Sequence, residues 1–328
     1  MKKVLILIIA LVLIISTSTL LISCNNNEEK SEITINVAMP DGTTVLAIGE
    51  MFNNFTTFET KTNKYKINYE IVAGASEISA KISTGQADIA IAPTNLVAKL
   101  YKKGVSLGLI ASNVFGALYI IGDDNITTIA QLADKKITCT GQAGTPDYIM
   151  QYVLSNNGLN VNNLDITYVS QGSEALAMLS AGTADVAVVG EPIATNAEIK
   201  NKASIIFDLQ EEYKKITNKS GYPQASTIAK TDLIANHEEF LDAFLDKMEA
   251  NLEYISNTDT SSITTLIQNA GSAVTYPNTT AIINSNLKVV RADDVKDEIV
   301  EYFTAMATFN SDFFGGSMPE DAFYAQIG

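Results

Sequence analysis

The chain contains one pattern twice, first as Ile82-Ser-Thr-Gly85-Gln-Ala87-Asp88-Ile-Ala90-Ile91 and again as Leu179-Ser-Ala-Gly182-Thr-Ala184-Asp185-Val-Ala187-Val188. In each copy a polar helix end is followed by glycine, x-Ala-Asp, and β-branched residues that alternate with alanine. Glycine accepts the left-handed conformation that closes a helix, and the apolar run after it is typical of a short buried strand. The copies are too far apart for a stacked solenoid repeat, so they predict two similar α/β lobes with a cleft between them.

Strands and helices alternate around both copies, which favours mainly parallel sheets covered by helices on both faces. In the first lobe we predict strands at 33–39, 66–72 and 87–91, with helices at 43–54, 74–84 and 94–103. In the second we predict strands at 137–140, 164–169 and 184–189, with helices at 146–158, 173–181 and after 192. Beyond Asp232 the pattern is helical, at 237–256, 261–270, 279–284 and 293–309.

The helical tail belongs with no strand of the second unit, so the chain must return to the first lobe. We expect crossings near 123–128 and 221–227. The predicted domains are therefore lobe 1 at 32–125 plus 228–328 and lobe 2 at 126–227.

The amino terminus predicts export. Lys2 and Lys3 precede an apolar run, and Leu21-Ile22-Ser23-Cys24 matches the bacterial lipobox, at which a signal is cut and the cysteine is lipidated. The alternative is an uncleaved anchor with an incidental cysteine. We expect a signal peptide at 1–23, a lipid on Cys24 and a polar tether at 24–31. The predicted location is the outer face of the cytoplasmic membrane.

Composition excludes several classes of function. A net charge of −15, with Arg291 as the one arginine, argues against nucleic acid as a partner. Cys139 alone remains after Cys24, so no intramolecular disulfide is expected. The single histidine, His237, has no second histidine for a zinc pair, and the sequence has neither a Gly-x-Ser-x-Gly elbow nor a phosphate loop. We expect no catalysis, no metal and no cofactor.

Candidate binding residues lie where strands lead into helices. Such loops, at the carboxyl ends of parallel strands, are where open α/β sheets bind ligands, and helix starts favour acceptors and anions. For any one of these loops, ordinary helix capping is the simpler explanation, and binding is favoured only because all of them are expected to face one cleft. The predicted ligand-binding residues of these loops, of a break between two extended segments and of the return crossing are Asp41, Thr43, Ser76, Pro93, Thr94, Asn113, Gln142, Thr145, Glu191 and Tyr222.

Glu191 is the most distinctive of these residues. Gly190-Glu191-Pro192 puts a carboxylate directly after the second repeat, where the first repeat has Ala92-Pro93-Thr94. The carboxylate could accept hydrogen bonds from a ring N–H or an amino group of a ligand, or could simply complement a helix dipole.

Together these motifs resemble the substrate-binding lipoproteins of ABC importers, in particular the group that binds alkanesulfonates, taurine, nitrate and thiamine precursors. The resemblance rests on the paired repeats, on Gly190-Glu191-Pro192, on Thr140-Gly141-Gln142 before a helix, and on Tyr222-Pro223-Gln224 before Ser226-Thr-Ile-Ala-Lys230. It implies a two-lobed type II periplasmic-binding fold that closes on a small molecule and docks, as a monomer, on a membrane permease with a cytoplasmic ATPase.

The ligand class stays open at this point. Anion binders of this group often supply basic side chains, and none lies in the candidate loops. The sequence therefore leaves two ligand classes open, a sulfonate-like molecule and a planar ring compound that is uncharged or zwitterionic. Two other functions fit the same fold. One is a lipoprotein enzyme of pyrimidine or ester metabolism, and the other is a ligand sensor for a membrane signalling protein.

Overall fold

Two β-sheets organise the chain in the computed structural model, which describes residues 30–200, 202–219 and 221–327. A seven-stranded sheet has the order β12-β5-β11-β4-β1-β3-β2, and a five-stranded sheet has the order β10-β6-β9-β7-β8. The predicted fold class, a two-lobed α/β fold of the type II periplasmic-binding kind, is confirmed. The sheets are mixed, because β11 enters antiparallel between β4 and β5 and β6 enters antiparallel beside β9.

The strands are β1 Ser31–Pro40, β2 Thr57–Glu59, β3 Asn63–Val72, β4 Ile89–Pro93, β5 Leu107–Val114, β6 Leu118–Gly122, β7 Lys136–Thr140, β8 Asp165–Val169, β9 Val186–Gly190, β10 Ser204–Asp208, β11 Ala225–Lys230 and β12 Leu287–Arg291. The helices are α1 Thr43–Leu46, α2 Met51–Asn54, α3 Ala75–Ser83, α4 Thr94–Lys102, α5 Thr145–Asn156, α6 Gly172–Ser180, α7 Ile193–Ile199, α8 Leu209–Thr217, α9 Thr231–Asn236, α10 Glu238–Asn257, α11 Thr260–Asn269, α12 Thr279–Ile283 and α13 Ala292–Asn310.

The repeated pattern performs the same structural task in each lobe. Gly85 and Gly182 end α3 and α6 with φ of 70° and 69°, the left-handed region that glycine enters without a Cβ clash. The aspartate that follows then joins the next strand to its parallel neighbour. The Asp88 carboxylate accepts the backbone N–H of Asn36 at 2.8 Å, and the Asp185 carboxylate accepts that of Lys136 at 2.8 Å.

The chain crosses between the sheets at two adjacent places. It leaves the large sheet at Val114, enters the small one at Leu118, and returns between α8 and β11. Gln224 ties the crossings together, because its N–H donates to Val114 O at 2.7 Å and its side-chain carbonyl accepts the N–H of Ala117 at 2.8 Å. The first crossing thus precedes the expected segment at 123–128, since β6 already belongs to the small sheet. The division into domains at 125/126 and 227/228 stays a prediction.

Two predicted elements differ from the structure. The helix expected at 43–54 is broken into α1 and α2, because the buried amide of Asn251 takes Leu46 O and the N–H of Glu50 as partners between them. The tail expected to be helical also contains β12, which pairs antiparallel with the edge of β5.

Each sheet buries apolar side chains against helices on both faces. On one face of the large sheet, β1, β4 and β5 pack Met39, Ile91 and Ile110 against the phenylalanines of α10. The other face packs on α4 and α13, and that core continues into the small sheet. Within the described residues, no helix has the length and apolar character needed to cross a membrane.

Candidate functional site

The two lobes meet at the carboxyl ends of their parallel strands. The first junction joins the start of α1 to the end of β9, where the Thr43 hydroxyl donates to the backbone carbonyl of Glu191 at 3.1 Å. Nearby, the Asn196 amide of α7 donates to Thr275 O at 2.8 Å. Asp41, directly before α1, is held by Ser272 and by the N–H of Ala273, so its carboxylate orders a lobe 1 loop beside this junction.

Glu191 places a carboxylate at the same junction. It is 4% exposed and accepts hydrogen bonds from the Thr195 hydroxyl at 2.7 Å and from the Asn284 amide of lobe 1 at 3.2 Å. Burial raises the pKa of this carboxyl, and the bonds from Thr195 and Asn284 offset part of the increase. The backbone of Asn284 is held in turn, because its main-chain carbonyl accepts the Tyr119 hydroxyl at 2.9 Å.

The second junction joins two longer helix starts. Thr145 is the first residue of α5 in lobe 2, and its hydroxyl donates to the side-chain carbonyl of Asn95, the second residue of α4 in lobe 1, at 3.0 Å. The amide of Asn95 donates to Phe313 O at 3.2 Å, so the orientation of its side chain is set from both sides. Both side chains are buried at this contact.

Behind this junction lies a chain of buried hydroxyls. The Thr94 hydroxyl is 2.8 Å from that of Ser226, which is 2.8 Å from that of Ser112. The N–H of Thr94 donates to Gln224 O at 3.0 Å, so the start of α4 is anchored to the return crossing. Pro93 ends β4 directly before α4 and fixes the direction in which the chain enters that helix.

Aromatic residues cover the same junction. Tyr302 stacks on Tyr222 with ring centroids 5.4 Å apart and meets Phe313 edge-on at 5.3 Å. Tyr148 of α5 packs on Phe313 at 4.9 Å and accepts a hydrogen bond from Asn310 at 3.3 Å. The predicted Tyr222 is therefore buried beside the junction rather than open to solvent.

Three predicted residues lie outside the two junctions. Ser76 and Gln142 are exposed, and their side chains make none of the hydrogen bonds between the lobes in the described part of the chain. Asn113 is buried in β5 on the face toward α10, where its amide donates to the Thr227 hydroxyl at 2.7 Å. Of the predicted residues, the structure brings Thr43, Thr145 and Glu191 into direct contact with the other lobe, and places Asp41, Thr94 and Tyr222 next to those contacts.

Sequence reasoning missed Asn95, Asn284 and Tyr302 as candidates. Asn95 directly follows the predicted residues Pro93 and Thr94, so extending that helix start by one residue would have included it. Asn284 and Tyr302 come from the helical tail and reach the junctions through its tertiary packing. No local pattern marks them.

The two junctions differ in chemistry. The first offers the carboxylate of Glu191, which suits a hydrogen-bond donor or a cation. The second offers two helix starts, which carry partial positive charge and suit an anion. A small molecule held between the lobes would therefore meet an acidic end and an anion-accepting end. The described residues contain no cluster of three or more histidine, cysteine or acidic side chains suited to a metal ion.

The comparisons with known proteins give one family and one fold. A family model described as "ABC transporter, phosphonate, periplasmic substrate-binding protein" matches residues 50–308. No curated protein sequence matches the chain at a significant level.

Several solved structures share the fold. An ABC transporter protein from Parabacteroides distasonis superposes with a TM-score of 0.75 at 21% identity, over 89% of this chain and 99% of the other. The periplasmic aliphatic sulphonate binding protein SsuA from Escherichia coli gives 0.66 at 14% identity, over 89% and 95%. The alkanesulfonate-binding protein SsuA from Xanthomonas axonopodis pv. citri, bound to MOPS, gives 0.62 at 13% identity, over 89% and 96%.

Proposed function

We propose that this chain, which belongs to the family of ABC transporter phosphonate periplasmic substrate-binding proteins, is a lipid-anchored receptor that binds a small polar organic molecule between its lobes and delivers it to an ABC permease and its ATPase. The family is one of transporter substrate-binding proteins and not of enzymes. We propose the ligand class, the lipid anchor, the monomeric state and the residues of the site.

One observation carries the proposal for the site. Helix starts from opposite lobes meet at Thr145 and Asn95, and a buried carboxylate, Glu191, meets lobe 1 at the other junction. A polar molecule that replaced these direct contacts would be held by both lobes at once. Its binding would then be coupled to the distance between the lobes, as a receptor that signals its loading to a permease requires.

The chemistry of the two ends supports a zwitterionic solute. The starts of α4 and α5 favour an oxyanion such as a phosphonate or a sulfonate, and require no arginine to do so. Glu191 favours an amino group or a ring N–H. We therefore propose a molecule with an anionic group at one end and a nitrogen donor at the other, which fits both the sulfonate-like and the planar alternatives left open by the sequence.

Native mass spectrometry of the protein purified from its own host tests this proposal. We expect one small polar molecule per chain, and a thermal-shift panel of phosphonates, sulfonates, pyrimidines and amino-acid derivatives, with and without an amino group, should identify its class. If only apolar compounds stabilise the protein, the proposed ligand class is wrong.

The transport role has its own test. Deletion of the gene should reduce uptake of the stabilising compound, and reintroduction of the wild-type gene should restore it. Unchanged uptake, together with neighbouring genes for a signalling partner in place of a permease and ATPase, would favour the sensor instead.

The anchor rests on Cys24, which lies outside the described residues. Cys24→Ala should leave the signal uncut and abolish acyl labelling of the protein, because the lipid is attached to that thiol before cleavage. Cys139→Ala is the matched control and should be processed normally. A Cys24→Ala protein that still incorporates a labelled fatty acid would contradict the proposed anchor.

A further inference from the structure

Five buried side-chain atoms have no hydrogen-bond partner among the residues that the structure describes. They are Asn113 Oδ1 and the hydroxyls of Tyr222, Tyr276, Tyr302 and Tyr324. A buried hydroxyl without a partner destabilises a protein, so each instance calls for a physical explanation. Tyr222 and Tyr302 both lie beside the junction of α4 and α5, and Tyr302 is the one whose hydroxyl is close to Thr145, the first residue of α5.

Packing holds the Tyr302 ring in place. It is 1% exposed, stacked on Tyr222 and in edge-on contact with Phe313, whose carbonyl accepts the amide of Asn95. Burial raises the pKa of Tyr302 well above its ordinary value, and the neighbouring Thr145 side chain acts in the opposite direction. The hydroxyl therefore stays protonated at physiological pH and lies next to the first residue of α5.

This hydroxyl lies beside two helix starts, where negative charge is favoured. Thr145 begins a helix of 12 residues and Asn95 lies in the first turn of a helix of 9 residues. Both helix starts present partial positive charge toward the junction. A neutral hydroxyl is a donor, so an anionic oxygen located there would satisfy it and complement both helices.

We infer that Tyr302 is a solute-binding residue, whose hydroxyl donates to an oxygen of the solute's anionic group between the starts of α4 and α5. The inference rests on the proposed function, because it needs a solute with an oxyanion in the cleft. It adds a donor from α13 that no sequence motif marks, and it explains why a hydroxyl is kept at a buried position that phenylalanine would otherwise fill.

Tyr324 provides a matched control. Its hydroxyl is also buried and without a partner among the described residues. Its backbone, however, pairs with Leu109 in the first half of β5, and Lys296 lies over its ring at 5.6 Å. Tyr324 is thus at the opposite end of the large sheet from the cleft, where a solute cannot reach it.

Titration calorimetry with methylphosphonate and methanesulfonate tests the inference on the full mature chain. The wild type should bind at least one of these probes. Loss of a hydrogen bond to a charged group weakens binding by about tenfold or more, so Tyr302→Phe should bind that probe about tenfold more weakly. Tyr324→Phe should bind like the wild type. The melting temperature of solute-free Tyr302→Phe should be no lower than that of solute-free Tyr324→Phe.

Each other outcome overturns the inference in a distinguishable way. If the wild type binds a probe and Tyr302→Phe binds it equally well, Tyr302 does not contact the anion, while the proposed function stands. If affinity and solute-free stability fall together in Tyr302→Phe alone, the hydroxyl has a structural role. If the wild type binds neither probe, the proposed oxyanion class fails together with the inference.

Discussion

Glu191 is the residue on which orientation of the solute depends in this account. Its carboxylate is buried, bonded to Thr195 of its own lobe and reached by Asn284 of the other. Loss of a hydrogen bond to a charged group costs about 1.5–3 kcal/mol, so Glu191→Ala should weaken solute binding by tens-fold. Glu198→Ala, an exposed glutamate on α7, is the control and should bind normally in the same calorimetric titration. If Glu191→Ala and Glu198→Ala both bind the solute as tightly as the wild type, Glu191 does not contact the solute.

The raised pKa of Glu191 also predicts a pH effect on stability. Because burial raises the folded-state pKa above the unfolded value, its stabilising contribution is complete below the unfolded pKa and is lost as the pH rises through the folded-state pKa. Chemical denaturation of the solute-free wild type and of Glu191→Gln should therefore show the wild type losing stability relative to the variant across that window. A difference between the two proteins that is constant with pH would contradict the burial effect.

Residue by residue, the sequence predicted part of the contact between the lobes. Thr43, Thr145 and Glu191 were predicted because helix starts and a carboxylate after a buried strand are local patterns. Tyr302 was not, since it reaches the second junction through the packing of the tail, which no local pattern encodes. Ser76 has the same helix-start pattern as Thr145 but is exposed to solvent. The pattern at a helix start does not indicate whether that start faces the other lobe.

At the scale of elements, each repeated Gly-x-Ala-Asp segment connects a helix to the next strand of its own lobe, as the pattern predicted. The structure also shows what the aspartate does. Each Asp carboxylate accepts a backbone N–H of the neighbouring parallel strand, and Asp88 also pairs with Lys230 at 2.6 Å. In each repeat the glycine therefore ends the helix, and the aspartate fixes the register of the strand that follows.

We expect Asp88→Ala to lower the free energy of unfolding by about 1–3 kcal/mol, because a strand N–H loses its charged acceptor. Asp185→Ala should cost less, since Asp185 is exposed and water can replace the carboxylate. Asp165→Ala, an exposed aspartate at the start of β8, is the comparison. Urea denaturation measures all three, and an Asp88→Ala protein as stable as Asp165→Ala would contradict the role of the repeat.

Elements that the sequence failed to predict have tertiary causes. The break between α1 and α2 depends on Asn251, which is 201 residues after Glu50 and 205 after Leu46 and supplies hydrogen-bond partners to both sides of the break. Strand β12 has a weak local signal and forms because the edge of β5 accepts it. Helix periodicity and strand alternation describe each segment alone. They therefore cannot predict contacts with residues that are distant in the sequence, such as Asn251 or the edge of β5.

At the scale of the whole molecule, two crossings held together by Gln224 connect the two lobes. This arrangement suits rotation of the lobes about the crossings. Small-angle X-ray scattering should show a smaller radius of gyration for the solute-saturated protein than for the solute-free protein. Scattering profiles that coincide within error would contradict closure, and a dimer-sized particle would contradict the predicted monomer.

The most direct test of the account is one calorimetric comparison, with the solute identified by native mass spectrometry. The double variant Thr43→Val/Thr145→Val removes the hydroxyl donors of both lobe junctions and keeps side-chain volume. We predict one binding site per wild-type chain and a loss of affinity of about a hundredfold in the double variant, since two hydrogen bonds are removed. Thr183→Val/Thr265→Val, at exposed positions away from the junctions, should bind as the wild type does. Equal affinity in all three proteins would show that the solute does not bind between the lobes at these helix starts.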